Sequence, residues 1–273
     1  MRGIEQSVGV FAVIVWVLSV MLSPSLAAQG EEPPRWRPTP VRELLKLKPQ
    51  NIFDDDWACA VCDAITEKDQ AKLAQLVNSG FDVNTQGVCG FSVLAWALFT
   101  DNLEAFKWLL ENGADPDLRV TEDVTVGYPQ RVRAGDSLLI VCLKCYRADY
   151  FHIAVKKTKD INQRDAAGNS LLYRYGIFGE APPKHVLDWM IDHGMDLNLV
   201  GDEGITVAYR ALAWGSASSC LIYLKAGVDP GIVTNKGFTV QDLLESKIVR
   251  HIDSQRFWDR SLALQRWLDE HEG

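Results

Sequence analysis

The chain has 273 residues, of which 47% are hydrophobic and 23% are charged, and its formal net charge is −8 at pH 7. These proportions exclude a wholly disordered chain, and the acidic balance disfavours capture of nucleic acid through its phosphates. Six cysteines are too few for a scaffold built on disulfides. At about 150 residues per domain, the length allows one or two domains.

The N-terminal segment has the order of a secretory signal peptide, predicted at residues 1–27. Arg2 precedes an uncharged apolar stretch, Val8–Leu22, and Ser25-Leu26-Ala27 follows the break at Pro24. Basic, apolar and small residues in this order favour cleavage after residue 27 or 28. The alternative is an uncleaved membrane anchor at residues 8–22, although such a helix spans about 22 Å of a hydrocarbon core about 30 Å thick.

Residues 28–53 are predicted to be a proline-rich linker, because proline lacks a backbone donor and disfavours helix in the preceding residue. Its prolines are Pro33, Pro34, Pro38, Pro40 and Pro49. A signal peptide predicts a periplasmic or secreted protein, and the lack of an Asn-x-Ser/Thr sequence fits a bacterial envelope.

Two landmarks recur along the body of the chain at matching intervals. The first is a glycine followed two positions later by serine or threonine, at Gly90, Gly135, Gly168, Gly204 and Gly237. The second occurs at Asn84, Asp117, Asn162, Asn198 and Gly231. Both series contain the intervals 45, 36 and twice 33, which indicates a repeat protein.

Each repeat has the features of two helices joined by a turn. The serine or threonine after the glycine is expected to cap the first helix through its hydroxyl. Apolar residues recur at helical spacing in Leu103–Leu110, which predicts a second helix with one buried face. Gly113 follows it and is expected to end the helix in a left-handed conformation.

This unit resembles the ankyrin repeat, whose 33 residues begin with a T-P-L-H-x-A helix start. The matching segments are Ser92-Val93-Leu94, Asn112-Gly113-Ala114-Asp115, Lys225-Ala226-Gly227-Val228-Asp229 and Asp82-Val83-Asn84. The resemblance covers residues 54–247 and implies an all-α ankyrin repeat solenoid of about five to six helix-turn-helix units with β-turn or hairpin tips. The family's histidine is replaced in each unit, by Cys62, Ala95, Ile140, Tyr173 and Tyr209.

A C-terminal capping helix is predicted within residues 248–273, because an open repeat stack would otherwise expose its last apolar face. Its apolar residues are Phe257, Trp258, Leu262, Leu264, Trp267 and Leu268. The 45-residue interval contains about 12 residues more than a 33-residue unit, and we predict an elongated hairpin within Arg119–Arg133.

In the ankyrin fold, the turn tips and the outer positions of the first helices form a concave surface. Together with the hairpin, this predicts a protein-binding site of Phe91, Trp96, Phe99, Tyr128, Arg174, Arg210 and Trp214. Aromatic residues and arginines are enriched at interface hot spots. The alternative is that some of these residues belong to the core of a slightly shifted register.

Two Cys-x-x-Cys pairs, Cys59/Cys62 and Cys142/Cys145, have the spacing of zinc ligands or a redox centre. They lie more than two repeats apart, so a joint site is geometrically unfavourable. In an exported protein, buried structural thiols or a disulfide are expected more often, including one from Cys89 to the first repeat.

The predicted function is that of an exported, noncatalytic ankyrin-repeat protein that binds a protein partner and no nucleic acid. No phosphate loop, metal-binding histidine pattern or set of acid, base and nucleophile is recognisable, so neither a cofactor nor an enzyme is predicted. The alternative is a redox or zinc-binding envelope protein that uses the two cysteine pairs. The resemblance allows immunity to an exported toxin or help in oxidative-stress defence among several envelope roles.

Overall fold

The computed structural model describes residues 48–125, 131–176, 180–250 and 255–271. The predicted signal peptide and the linker up to residue 47 lie outside these ranges, as does Tyr128. No helix within the described ranges is long and apolar enough to cross a membrane.

Twelve α-helices within these ranges form six units, each with a first and a second helix. The helices are α1 Asp56–Glu67, α2 Gln70–Asn78, α3 Val93–Phe99, α4 Leu103–Glu111, α5 Leu138–Lys144, α6 Ala148–Ala154, α7 Leu171–Tyr175, α8 Lys184–Asp192, α9 Val207–Ala213, α10 Ala217–Ala226, α11 Val240–Arg250 and α12 Gln255–His271. First helices contact the first helices of neighbouring units, as α1 contacts α3 and α5 contacts α7. The predicted all-α solenoid is therefore confirmed, with one apolar core that continues through the stack.

The predicted serine and threonine caps form in four of the units. The hydroxyl oxygens of Ser92, Ser170, Thr206 and Thr239 accept backbone N–H groups three residues later, at 3.2–3.3 Å. Ser137 differs, because its buried hydroxyl has no hydrogen-bond partner among the described residues. Gly113 takes the predicted left-handed conformation, with φ +92°.

The second landmark series ties neighbouring units together. Asn84 accepts a hydrogen bond from Asp115 N and donates one to Gly113 O, at 2.8 and 3.1 Å. Asn162 makes the same two bonds one repeat further on, to Asp196 N and Gly194 O, both at 2.8 Å. The recurring asparagine therefore marks a side-chain amide that hydrogen-bonds to the backbone just after the second helix of the next unit.

The long interval contains the predicted hairpin. Strand β1 (Val124–Thr125) pairs antiparallel with β2 (Arg131–Val132), and Val124 lies opposite Val132. The two ends of the insertion also close on each other, because Gly135 N donates to Val120 O at 2.7 Å. Strand β2 contacts α5, so the insertion packs on the first helix of unit 3.

Helix α12 packs on α10 and α11 at the end of the stack. Leu264 and Leu268 are buried in this contact and Trp267 is partly buried. Leu262 is 46% exposed, because it lies two residues from Leu264 and therefore on another face of the helix. The side chains of Phe257 and Trp258 lie outside the described part of the chain.

Candidate groove site on helices α7 and α9

The groove face is defined here as the side of the first helices that adjacent helices leave uncovered. In unit 5, α9 is covered by α7, α10 and α11. Arg210 is partly exposed on the remaining side, and Trp214 at the end of α9 is 65% exposed. The helix buries its other face, through Val207, Ala208, Ala211 and Leu212. The groove face is therefore open at unit 5.

Arg210 lies between two aromatic rings on this face. Its guanidinium carbon is 4.0 Å from the ring centroid of Tyr173 in unit 4 and 5.6 Å from that of Trp214. A cation over an aromatic ring is attracted by the negative face of the ring. These three residues, named here the Arg210 stack, join α7 to α9.

Two glycines provide the space that the stack occupies. A Cβ atom at Gly201 would lie 2.5 Å from the Tyr173 ring, and one at Gly176 would lie 3.1 Å from Cδ of Arg210. Neither glycine has a positive φ, so space and not backbone conformation is the requirement. The stack therefore depends on residues from the loops that follow α7 and precede α9.

Arg174 lies one residue after Tyr173 and pairs within its own unit. Its Nε donates to Asp165, whose side chain is fully buried. Asp165 also accepts the backbone N–H of Asn169 at 2.9 Å. Burial favours the neutral carboxyl, but these hydrogen bonds and the charge of Arg174 outweigh it and lower the pKa of Asp165. The charge of Arg174 is thus largely balanced locally.

The structure brings Arg210 and Trp214 into contact and places Arg174 on the neighbouring first helix. Tyr173 and Asp165 complete this arrangement but are absent from the predicted site. The sequence did contain a signal for Tyr173, because this residue replaces the histidine of the repeat with a larger phenol ring. No signal in a single sequence could show that Arg210, 37 residues later, would cover that ring.

The predicted exposure of Phe91, Trp96 and Phe99 is wrong, because each is at most 6% exposed. Trp96 Nε1 donates to Cys62 O at 3.0 Å and to Thr66 Oγ1 at 2.9 Å, which places the indole across α1. The rings of Phe91 and Phe99 meet edge to face, with centroids 5.2 Å apart. The core alternative therefore holds for the aromatic residues of unit 2.

The insertion packs on α5 in unit 3, where the first helix has no exposed residue. Val141 holds the position in α5 that Arg210 holds in α9, four residues after the cap, and it is fully buried. Val132 of β2 is also fully buried, and all seven residues of α5 are buried. The first helix of unit 3 is therefore fully buried, whereas α9 leaves Arg210 partly exposed.

All six cysteines lie in the described ranges and carry free thiols, so the expected disulfide from Cys89 does not form in this structure. Cys89 Sγ lies 3.6 Å from Glu122 Oε2 in the insertion, away from α1. Burial raises the pKa of the Cys62 and Cys142 thiols, and it raises the pKa of Cys145 to about 12. A buried, protonated thiol is a poor nucleophile and a poor metal ligand.

The described part of the chain has the fold of an ankyrin repeat solenoid. It resembles an ankyrin repeat domain from Acinetobacter baumannii, with 18% identity and a TM-score of 0.57 over 72% of this chain and 95% of that one. It also resembles a chain in the structure of a predatory endopeptidase from Bdellovibrio bacteriovorus in complex with an immunity protein. That match has 20% identity and a TM-score of 0.52 over 70% of this chain and 93% of that one. Neither a protein-family model nor a curated protein matches the sequence.

Proposed function

We propose that this protein is a noncatalytic binding module that recognises a protein partner through the groove face of units 4 and 5. The observation that carries the proposal is the Arg210 stack, which holds the exposed Trp214 beside a partly buried arginine. Tryptophan, tyrosine and arginine are the residues most enriched at interface hot spots. The binding site is thus smaller than the sequence predicts, because Phe91, Trp96 and Phe99 serve the core.

A protein partner is supported by a structural neighbour that was solved within a protein complex. One structural neighbour comes from a complex of an endopeptidase with an immunity protein. The insertion contributes through Tyr128, which lies between β1 and β2 in the sequence. Residues 1–27 direct export to the periplasm or beyond, residues 28–53 act as a linker, residues 54–247 form the repeat domain, and residues 248–273 close it.

The redox or zinc alternative has weaker support. Burial keeps the thiols of both Cys-x-x-Cys pairs protonated, as their raised pKa values indicate. No group of three histidine, cysteine or acidic side chains able to hold a metal occurs within the described ranges.

Photo-crosslinking in the native host tests the proposal directly. A photoreactive phenylalanine analogue is placed at position 214 on the groove face and, as a matched control, at position 222, where Ile222 on second helix α10 is 46% exposed. A third position, 128, tests the insertion. We expect a discrete protein adduct at position 214 and none at position 222. Equal adducts at positions 214 and 222, or none at 214, would overturn the proposal.

A further inference from the structure

Arg210 differs from three other buried or partly buried cations of the repeats. Lys144 pairs with Asp136, Arg174 with Asp165, and Arg147 with both Asp101 and Asp149. Arg210 makes no ion pair within 4.0 Å among the described residues, and its buried Nε has no hydrogen-bond partner there. A charged side chain without a counter-ion is costly when it is partly buried, so the guanidinium favours an anionic ligand on its exposed side.

The charges around Arg210 leave it without a neutralising partner although the chain as a whole is acidic. Burial lowers the pKa of Arg210 and the positive charge of the neighbouring Arg174 acts in the same direction, whereas Tyr173, which shares a side-chain hydrogen bond with Arg210, acts in the opposite direction. The carboxylate that most affects Arg210 is that of Asp202, which is exposed and forms no ion pair with it. Since Asp165 pairs with Arg174, neither of these carboxylates is engaged by Arg210.

An apolar surface adjoins this charge. Trp214 covers one side of the guanidinium and leaves 65% of its own surface exposed. A ligand bound to the guanidinium therefore has the exposed indole beside it. This pairs one anionic contact with one apolar contact.

We infer that the Arg210 stack binds an acidic polypeptide segment, in which an aspartate or glutamate side chain pairs with Arg210 and a neighbouring apolar side chain packs on Trp214. The inference rests on the proposed function and names the chemistry of the partner. A guanidinium presents a planar fork of donors that matches a carboxylate in two parallel hydrogen bonds. The net charge of −8 acts against any anionic ligand, and it acts more strongly against a nucleic acid, which carries a charge on every phosphate, than against a segment with one or a few carboxylates.

Peptide display on the folded full chain tests this inference even before the natural partner is identified. Random peptides are selected on the wild-type protein, and each selected peptide is resynthesised with its acidic residue changed to the matching amide. The expected result is enrichment of an acidic residue beside an apolar one. Because a hydrogen bond to a charged group contributes about 1.5–3 kcal/mol, the amide should weaken binding roughly 10- to 100-fold.

Changes in the protein provide the second arm. Arg210→Gln should weaken the acidic peptide as much as the amide change does, and the two changes together should add little more. Arg210→Lys keeps the charge without the fork and should fall in between. Thermal unfolding of each variant identifies loss of fold, and the peptide changes leave the protein untouched.

The outcomes separate the inference from the proposed function. Peptides that need Trp214 but contain no acidic residue, or that bind Arg210→Gln unchanged, would overturn the inference and leave the groove face as the binding site. Selected peptides that ignore Trp214→Ala as well would overturn both. Preference for a single-stranded oligonucleotide over the peptides would also overturn the acidic-polypeptide assignment.

Discussion

Lys144 and Asp136 form an ion pair in which both side chains are buried, with exposed fractions of 7% and 0%. The same carboxylate accepts the backbone N–H of Arg133 at 2.7 Å and that of Ala166 at 3.0 Å. It therefore joins the end of the insertion, the first helix of unit 3 and the turn tip of unit 4. The pair ties the end of the insertion to α5, the helix that β2 contacts.

Removal of the cation should be strongly destabilising. Lys144→Met leaves the Asp136 carboxylate buried without its partner, and we expect the free energy of unfolding in urea to fall by about 3–5 kcal/mol. Lys184→Met is the control, because Lys184 pairs with Asp188 at the surface, where 87% of the lysine side chain is exposed. The control should cause no measurable change. Similar losses in the two variants would contradict the role given to the buried pair.

The asparagine that bridges units should contribute to the cooperativity of the stack. Asn162→Ala removes two hydrogen bonds to the next unit, and we expect a loss of about 1–2 kcal/mol, since each such bond contributes about 1 kcal/mol. Asn112→Ala is the matched control, because its amide donates only to Trp108 O within the same unit. Urea titrations of both variants give the comparison. A larger loss in the control would show that the bridge is unimportant.

Gly201→Ala should disturb the Arg210 stack, although Gly201 is not one of its three residues. The added methyl group would lie 2.5 Å from the Tyr173 ring, so the ring must move, at a cost of about 1–3 kcal/mol. Crosslinking at position 214 should fall with it. Gly231→Ala is the control, since its methyl group would meet only the Asp229 side chain, at 3.2 Å. Unchanged stability in Gly201→Ala would mean that the loop yields and that Tyr173 is not held in place.

Thiol labelling should distinguish Cys89 from the buried cysteines. In the native protein we expect an alkylating reagent to modify Cys89 and to spare Cys62 and Cys142, which are fully buried. Burial and the nearby Glu122 carboxylate both raise the pKa of Cys89. Glu122→Gln should lower that pKa, increase the thiolate fraction at pH 8 and speed the labelling. Mass spectrometry measures the rates, and slower labelling in Glu122→Gln would contradict the electrostatic contact.

Much of the fold was predictable because its signals are local. The caps at Ser92, Ser170 and Thr206 and the left-handed Gly113 each concern a few consecutive residues. The asparagine series was visible as an interval, but its role as a bridge was not. Ser137, whose hydroxyl does not cap its helix, lies next to the insertion, where the neighbouring Asp136 accepts the backbone N–H of Arg133.

The candidate site was predictable only in part, because the exposure of a side chain depends on what packs over it. Trp96 and Arg210 occupy equivalent positions, four residues after their caps, yet Trp96 turns onto α1 and Arg210 lies over Tyr173. Which residue is buried and which stays partly exposed depends on the side chains of the preceding unit, which lie about 30 or more positions earlier in the sequence.

The amino-acid sequence by itself determined the repeat, its period and the places where helices begin and end, because these follow from hydrogen bonds and apolar spacing within one unit. The tertiary structure alone decided which units keep an open groove face. In unit 3 the insertion packs on α5, Val132 and all residues of that helix are buried, and burial of apolar surface favours this packing. In unit 5 no described strand covers α9, and Arg210 and Trp214 remain available to a partner.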